Sequence, residues 1–486
     1  MKLKLSQQGI EYGDPFEHYK EATQNGTVPG LLMESRTLNL AYGKQSIVAL
    51  NLALKLSGKG NTCRIEALTE QGEHLLEEFA PGDFPFADSY TQGSNSIELQ
   101  VSRDFNPNHS EAERRRHRSA ASFLRSCMAK FQTDNPFAGV YGAFAYDFVR
   151  NFEDIGNLHN KEPGNDFLLF LPGAICVFDD IRQRAVAYEL LLEGKNTPLC
   201  LYEFEAGDSS APPVESMSSS EFEQKVARIV SDIRNGRFMQ CVLSRSLSFP
   251  VVQHPLQTYT RLREINPSPY CFLFNFGEGE FLYGSSPEMH AAVQDGIMQI
   301  RPLAGTRRRS ANPLEDALAR ISLLTDAKEM SEHSMLVDLA RNDVFRLCEP
   351  QSVEVTDMYT VEQYPNLYHL ASGVQGKLLD GTDCIDVILT TLPAGTLSGA
   401  PKLEAMKAIE ELENTRRGFY GGAVGYLTFN GACNTGITIR SIYVNGRYST
   451  LQAGAGVVLD SVPEKEAGEV MLKLEKPLKL LRGGIE

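Results

Sequence analysis

Tryptophan is absent from this chain of 486 residues, and so are several features that would assign the chain to a functional class. The nine cysteines are odd in number and include no C-x-x-C pair. This pattern argues against a disulfide framework or a zinc site, and it favours reduced, buried thiols. No G-x-G-x-x-G segment follows a strand-like run and no Walker loop is present, so nothing supports nucleotide binding.

Positive charge and long apolar runs are also scarce. The 47 Lys and Arg residues face 62 Asp and Glu residues, and the net charge of −15 would repel nucleic acid or an anionic membrane. The one basic cluster, residues 114–118, is predicted to be a solvated helix face. No apolar run is long enough to span a bilayer, and the first residues lack the apolar segment of a signal peptide. We expect a cytoplasmic protein with neither a nucleic-acid nor a membrane partner.

Small and polar residues mark one seam, at 206–220, which is typical of a surface linker. The seam predicts two parts: a β-rich region over 1–215, interwoven with a second unit over 216–486. Strand-like runs occur on both sides, and the Asn-Gly pairs at 430–431 and 445–446 are placed to turn hairpins. Helical patterns cover about 313–347, 402–417 and 464–482. The fold class is therefore predicted to be α+β with large antiparallel sheets.

Paired glutamates are the first sign of chemistry. Residues three apart on a helix lie on one face, and this spacing occurs at Glu329 and Glu332, Glu410 and Glu413, and Glu466 and Glu469. Two such helices facing each other would form an oxygen-rich site suited to Mg²⁺. The alternative is that such pairs lie on solvated helix faces, which is the interpretation given to Glu410 and Glu413.

Short blocks of glycine and charged residues follow one another after the seam. They are RFMQCVLSR (237–245), GSSPE (284–288), RPLAGTRRR (301–309), PAGTLSGAPK (393–402) and QAGAGVV (452–458). Gly-rich entry into a helix exposes backbone N–H groups that favour an anion. Together the blocks predict a polar pocket for a small polyanionic substrate bound with Mg²⁺.

The motifs DAKEMSEHSMLVDLARND, PAGTLSGAPK, FYGGAVGY and QAGAGVVLDSVPEKE resemble the chorismate-utilising enzymes, and within them anthranilate synthase component I. The resemblance runs through most of residues 216–486. It implies antiparallel sheets packed as a sandwich with helices outside, a chorismate-binding catalytic domain over 216–486 and a regulatory region over 1–215. It also implies a Mg²⁺-dependent reaction on chorismate, a dicarboxylate with a 4-hydroxyl leaving group.

The resemblance also implies roles for individual residues. Glu332 and Glu469 match the metal ligands, with Glu329 and Glu466 in supporting positions. Glu288 matches the general acid that protonates the departing 4-hydroxyl, a task that needs a raised pKa.

Other positions match the groups around the substrate ring. His369 matches the histidine associated with the elimination of pyruvate, although an ordinary hydrogen-bonded histidine is an equally open alternative. Tyr420 and Arg440 match residues that hold the enolpyruvyl carboxylate. The remaining pocket residues are Thr396, Gly454, Ala455, Gly456 and Lys473.

Two positions discriminate between reactions within the family. Gln240 stands where members that add water carry a lysine base, and a neutral glutamine cannot activate water. Ala304 stands where the 4-aminating members carry a lysine. Both favour addition of ammonia at C2 of chorismate, with Gln240 counted among the catalytic residues.

LLMES (31–35) and NPSPY (266–270) match the two segments that form the tryptophan feedback site of anthranilate synthases. The predicted effector residues are Glu34, Ser35, Pro269, Tyr270 and Cys271. The glutamate is expected to face the ammonium group of L-tryptophan, and the usual lysine falls at Lys44 only after a shift of one residue. The alternative is that LLMES is a plain strand end.

The chain carries no Cys-His-Glu glutaminase machinery, so ammonia must come from solution or from a separate glutamine amidotransferase subunit. The predicted products are anthranilate and pyruvate, with L-tryptophan as the inhibitor. Two alternatives remain: release of 2-amino-2-deoxyisochorismate without pyruvate elimination, and a catalytically inactive regulatory subunit. The complete set of acid, histidine, arginine and glutamate ligands argues against the second.

Overall fold

The computed structural model describes residues 1–36, 45–106, 108–159, 164–195, 197, 204, 206–207, 211–364 and 367–481. Its helices are α1 Pro15–Ala22, α2 Glu70–Glu77, α3 Glu111–Arg116, α4 Ala120–Lys130, α5 Ser219–Arg234, α6 Pro255–Ile265, α7 Pro313–Thr325, α8 Ala327–Phe345, α9 Cys384–Thr391, α10 Lys402–Leu412 and α11 Pro463–Leu481. The first strands are β1 Leu5–Ile10, β2 Gly30–Glu34, β3 Gln45–Lys59, β4 Thr62–Ala67, β5 Ser89–Gln92, β6 Ser96–Gln100, β7 Gly139–Phe144, β8 Phe167–Asp179, β9 Arg184–Leu190 and β10 Val214–Glu215. The later strands are β11 Gln240–Pro250, β12 Tyr270–Gly277, β13 Glu280–Ser286, β14 Met289–Gln294, β15 Ile297–Ile300, β16 Leu303–Arg308, β17 Glu354–Gln363, β18 Leu367–Lys377, β19 Gly399–Ala400, β20 Ala423–Thr428, β21 Cys433–Ile437, β22 Ser441–Asn445 and β23 Tyr448–Val457.

The long antiparallel pair β3–β8 divides the sheet into two arms. A register shift between Leu52 and Leu54, preceded by a left-handed Asn51 (φ +51°), bends the pair near its middle. Before this bulge the pair continues through β9 and β2, and after it through β4 and β7. β-Bulges bend strands in this way. The first arm runs β9–β8–β3–β2–β12–β13–β22–β23–β11, and the second runs β6–β4–β3–β8–β7–β20–β21–β14–β15–β18.

The apolar core lies in three layers that follow from the two arms. One cluster fills the space between them, with Leu31 and Phe274 from the first arm against Tyr141 and Val424 from the second. A second cluster joins the first arm to the outer helices α1, α5, α6, α10 and α11, and a third joins the second arm to α2, α4, α8 and α9. The predicted α+β sandwich with helices outside is confirmed.

Local signals explain where the elements begin and end. The Asn-Gly turns are confirmed: Gly431 lies in the β20–β21 hairpin and Gly446 follows β22, both with positive φ. The single helix predicted over 313–347 is two helices, because the Asp326 backbone leaves the helical region (ψ 110°). The Asp326 side chain then accepts the amides of Lys328 and Glu329 as an N-cap of α8.

Strands from both sides of residue 215 share backbone hydrogen bonds. β2 pairs with β12, and β7 pairs with β20. The eight cysteines in the described part of the chain are free and buried. No described helix has both the length and the apolar character needed to cross a membrane.

The basic cluster at 114–118 is not the solvated face that was predicted. Arg115 pairs with Glu111 at 2.7 Å, and Arg116 reaches Asp386 of α9 at 2.5 Å. The cluster thus joins α3 to α9. The carboxylates across that contact could not be inferred from the local sequence.

Candidate active site

Glu288 lies in the link between β13 and β14, at the strand end that the sequence predicts. Its side chain is buried, and Thr396 Oγ1 donates to its Oε1 at 3.1 Å. Burial raises the pKa of Glu288 to about 8, although the Thr396 bond, the positive charge of Arg440 and the Leu303 backbone act in the opposite direction. A carboxyl group that keeps its proton near neutral pH can act as a general acid.

His369 lies on β18, and its ring is held by contacts at one nitrogen, Nδ1. Its Nδ1 is 3.1 Å from the Gly305 carbonyl oxygen and 3.1 Å from Thr306 Oγ1. A carbonyl oxygen only accepts, so the proton resides on Nδ1 and the lone pair resides on Nε2. Burial and the nearby Arg440 charge lower the pKa of His369. The ring is therefore neutral and presents a basic nitrogen.

Arg440 provides a positive charge that acts on both of these groups. Its backbone is left-handed (φ +49°), which costs about 1–3 kcal/mol for a residue with a side chain. The residue is exposed, and its guanidinium has no hydrogen-bond partner among the described residues. Desolvation by the surrounding protein lowers its pKa, whereas Tyr364 and Glu288 raise it. An exposed guanidinium without a protein hydrogen bond among the described residues is suited to a substrate carboxylate.

Glycines on β23 bring the backbone close to this pocket. A Cβ on Gly454 would lie 3.1 Å from the Tyr420 hydroxyl, and one on Gly456 would lie 2.7 Å from Gln240 Nε2. Ala455 between them is buried. Gln240 Oε1 is buried without a hydrogen-bond partner among the described residues. The backbone at Gly454 and Gly456, here called the glycine floor, therefore carries no side chains, and beside it lies the amide acceptor of Gln240.

Glutamates of α8 and α11 lie close enough for their charges to interact. Burial raises the pKa of Glu332, Lys328 lowers it, and the charges of Glu329 and Glu466 raise it again. Burial and the charge of Glu469 likewise raise the pKa of Glu466. Mutual repulsion of this kind shows that the pairs from the two helices form one acidic cluster.

Lysine and arginine side chains hold the edges of this acidic cluster. Lys473 Nζ bonds Glu469 Oε1 at 2.7 Å and the Gly454 carbonyl at 2.9 Å, which joins the cluster to the glycine floor. Glu329 pairs with Arg307 at 2.8 Å. No three His, Cys, Asp or Glu side chains in the described part of the chain are arranged to hold a metal by themselves. An all-carboxylate donor set does fit a hard cation that completes its shell with water and substrate oxygens.

The pair Glu410 and Glu413 is not on a solvated face, so that interpretation was wrong. Both side chains are buried, and each pairs with an arginine: Glu410 with Arg150 at 2.6 Å and Glu413 with Arg417 at 2.5 Å. The spacing was the same as in the other pairs. Only the tertiary structure shows which arginines neutralise them.

Gly305 was not predicted as a site residue, yet it connects two parts of the site. Its carbonyl fixes the His369 tautomer, and a Cβ on Gly305 would lie 3.1 Å from Glu329 Oε2. Its left-handed backbone (φ +68°) follows a register shift between Ala304 and Thr306 on β16. The Gly-Thr pair in the sequence indicated a turn but not this contact.

The predicted effector residues lie around a second cavity, of about 590 Å³, between the two arms. Glu34, Pro269, Tyr270 and Cys271 line it, whereas Ser35 uses its amide to bond Ser46 Oγ at 3.2 Å. Lys44 lies outside the described residues. A cavity of this size accommodates an amino acid.

Glu34 is already bound by protein groups, which the sequence did not predict. Arg263 bonds both of its carboxylate oxygens, and the Tyr259 hydroxyl donates to Oε2 at 2.7 Å. The sequence analysis did not identify the partner of Glu34, which is Arg263 on α6. Arg263 also pairs with Asp14.

Comparison with known proteins now assigns the family. The family model described as chorismate binding enzyme matches residues 80–479. The chain belongs to the chorismate binding enzyme family. Component 1 of anthranilate synthase from Pseudomonas aeruginosa is 41% identical over 360 residues, which cover 69% of this chain and 73% of that protein. The corresponding protein from Acetivibrio thermocellus is 36% identical over 370 residues, covering 71% and 75%.

Solved structures agree with this assignment. Anthranilate synthase component I from Streptococcus pneumoniae superposes with a TM-score of 0.67 and 29% identity, over 90% of this chain and 92% of that one. The menaquinone-specific isochorismate synthase of Escherichia coli reaches the same TM-score at 17% identity, over 99% and 94%. The second likeness shows a shared fold only. The predicted resemblance is confirmed, and the family match extends well into the region before residue 216.

Proposed function

We propose that this chain is the aminating component of an anthranilate synthase, which converts chorismate and ammonia to anthranilate and pyruvate. The observation that carries the proposal is the buried Glu288, whose pKa of about 8 keeps a proton available, together with the charge of Arg440, which has no hydrogen-bond partner among the described residues, and a neutral His369. The likeness to anthranilate synthase components supports it. An acid, a base and a carboxylate-binding cation are the groups that this reaction needs.

Chorismate would bind with its enolpyruvyl carboxylate on Arg440 and Tyr420. The backbone of Gly454, Ala455 and Gly456 would approach the ligand because no large side chain stands in the way. This arrangement would orient the ring so that its 4-hydroxyl faces Glu288.

In the first step ammonia forms a bond to C2 while the bond from C4 to its hydroxyl oxygen breaks. Glu288 gives its proton to that oxygen, which leaves as water, while the two ring double bonds shift along C1, C6 and C5 from C2 to C4. The nitrogen added at C2 then releases one proton to solvent. The first product is 2-amino-2-deoxyisochorismate. In the second step His369 Nε2 takes the C2 proton, the bond from C3 to the ether oxygen breaks, and the ring becomes aromatic. The enolpyruvate that leaves takes up a proton at its methylene carbon and becomes pyruvate.

Glu332 and Glu469 would hold Mg²⁺, with Glu329 and Glu466 beside them. When bound, the ion neutralises the ring carboxylate of the substrate and the acidic cluster around it. Lys328 and Lys473 now offset part of that negative charge.

Gln240 and Ala304 favour ammonia over water as the nucleophile. Neither side chain can deprotonate water, and Gln240 Oε1 is an open acceptor for an ammonia N–H. The ammonia would come from a separate glutamine amidotransferase subunit, in a cytoplasmic complex of the two chains. L-Tryptophan would inhibit from the cavity between the arms.

The test is to incubate the protein with chorismate, Mg²⁺ and ammonium, with and without L-tryptophan. We expect anthranilate fluorescence and one pyruvate per anthranilate, with both reduced by tryptophan. Formation of 2-amino-2-deoxyisochorismate without pyruvate would favour the second candidate, a synthase that stops after amination. Formation of isochorismate in the absence of ammonium would reject amination.

A further inference from the structure

Arg417 and Glu413 form a buried ion pair beside the candidate active site without belonging to it. Their side chains are 1% and 4% exposed. Arg417 Nε donates to Glu413 Oε2 at 2.9 Å and Nη2 donates to Oε1 at 2.5 Å, which is a two-pronged contact. Desolvation lowers the pKa of Arg417, but the Glu413 charge and hydrogen bonds outweigh it and raise it overall.

The guanidinium also holds two backbone segments of the pocket. Nη1 donates to the Leu397 carbonyl at 2.6 Å, and Nη2 donates to the Val242 carbonyl at 2.7 Å. Leu397 follows Thr396, the residue that bonds Glu288. Val242 is paired in register with Gly456.

Glu413 and the face of the guanidinium hold the remaining segments. Glu413 Oε1 accepts the Ser244 amide at 2.8 Å and its hydroxyl at 2.7 Å, and Ser244 is paired with Gly454. The Arg417 guanidinium stacks 5.8 Å from the Tyr420 ring centre, and the Arg417 carbonyl accepts the Tyr420 amide at 3.2 Å. This ion pair therefore contacts residues next to three parts of the candidate site. These parts are the acid Glu288, the glycine floor of β23 and Tyr420, which is proposed to bind a carboxylate.

We propose that Arg417 and Glu413 are positioning residues, which set the distance between the Thr396–Glu288 acid and the substrate-binding surface formed by Tyr420 and the β23 glycines. This inference rests on the proposed function, because it assigns that surface to chorismate. The planar guanidinium is essential to it, since four donors must point at three segments at once. A lysine keeps the charge but directs its donors from a single atom.

Arg417→Lys is therefore the decisive variant. We expect the KM for chorismate to rise and kcat/KM to fall about 10- to 100-fold, because small displacements of reacting groups are costly. The loss of activity at high pH should also shift to higher pH, since a weakened Thr396 bond no longer lowers the pKa of Glu288, with Arg440 unchanged.

Arg125→Lys is the matched control. Arg125 also forms a two-pronged contact, with Asp383 at 2.9 Å and Asp386 at 2.7 Å, and it joins α4 to α9 away from the proposed site. Both variants should lower the melting temperature, but only Arg417→Lys should change KM and the pH profile. If Arg417→Lys does not fold, Glu413→Gln replaces it with the same criterion.

The inference is overturned if the Arg417 or Glu413 variant matches Arg125→Lys in kcat/KM and in the pH profile. Failure of the proposed function is seen separately, because the wild-type protein would then form no anthranilate. In that case chorismate affinity, measured by calorimetry on the same variants, tests whether the pair positions the binding surface.

Discussion

At the scale of single residues, Glu288 shows how burial creates chemistry. A carboxyl group in water is ionised at neutral pH, but this one keeps its proton because the folded chain removes water from around it. The sequence motif GSSPE identifies the residue, whereas the Thr396 and Arg440 contacts that moderate its pKa come from segments more than a hundred residues away.

Glu288→Gln is expected to lower kcat about 10²- to 10⁴-fold, because an amide has the same shape and cannot give up a proton. The residual rate should no longer decline near pH 8, the pKa of the wild-type carboxyl. The measurement is a pH–rate profile by anthranilate fluorescence. Wild-type kinetics in this variant would exclude Glu288 as the acid.

The same substitution, which is expected to lower activity, is expected to raise the stability of the folded protein at high pH. The folded-state pKa of about 8 is above the ordinary value of 4.5, so the native state binds more protons than the unfolded state between these pH values. Wild-type stability therefore falls as pH rises through this window, and Gln has no such loss. Thermal melts should show Glu288→Gln to be more stable than wild type at pH 8.5, with the difference shrinking towards pH 5. An equal difference at both pH values would contradict the raised pKa.

At the scale of elements, α8 and α11 both contribute glutamates to the acidic cluster, in which the charge of Glu466 acts on Glu332. The sequence predicted a helix at α11 and a single helix over 313–347, within which α8 begins after Asp326 because that side chain caps it. The three-residue spacing alone could not distinguish a functional glutamate pair from a structural one. Glu410 and Glu413 have the same spacing as the α8 and α11 pairs, and arginines neutralise them.

Mg²⁺ is expected to raise the melting temperature of the wild-type protein, because the ion relieves repulsion that exists only in the folded state. Glu332→Gln or Glu469→Gln should reduce this rise. Glu17→Gln is the matched control, since Glu17 pairs with Lys20 on the distant helix α1. If Mg²⁺ raised the melting temperature equally in the wild type and in all three variants, the metal assignment would be rejected.

At the scale of the whole molecule, the bent pair β3–β8 places two cavities close together. Met289 lines both the cleft beside Glu288 and the larger cavity between the arms. Tyr270, from the first arm, covers Gly436 of the second and bonds Asn434 at 3.0 Å. A ligand in the larger cavity would therefore contact both arms next to the acid, which is a physical route for feedback control.

Tyr270→Leu is expected to weaken inhibition by L-tryptophan at least about tenfold, since it removes the hydroxyl and the aromatic wall of the cavity. Ammonium-dependent turnover without tryptophan should change little. Tyr188→Leu is the control, because Tyr188 packs on Phe137 elsewhere in the same sheet. Unchanged inhibition in Tyr270→Leu would place the effector elsewhere.

The sequence by itself determined the fold class and the family, because alternation, turn residues and long motifs are local properties of a chain, and it predicted candidate site residues that stay predictions. Only the tertiary structure decided which charges are paired. Glu34 is bound by Arg263, Glu413 by Arg417, and the arginines of α3 by α9. The protonation of Glu288 and the tautomer of His369 were decided in the same way. The physical reason is that burial and Coulomb interactions act between residues distant in sequence, and the register of the two arms sets those distances.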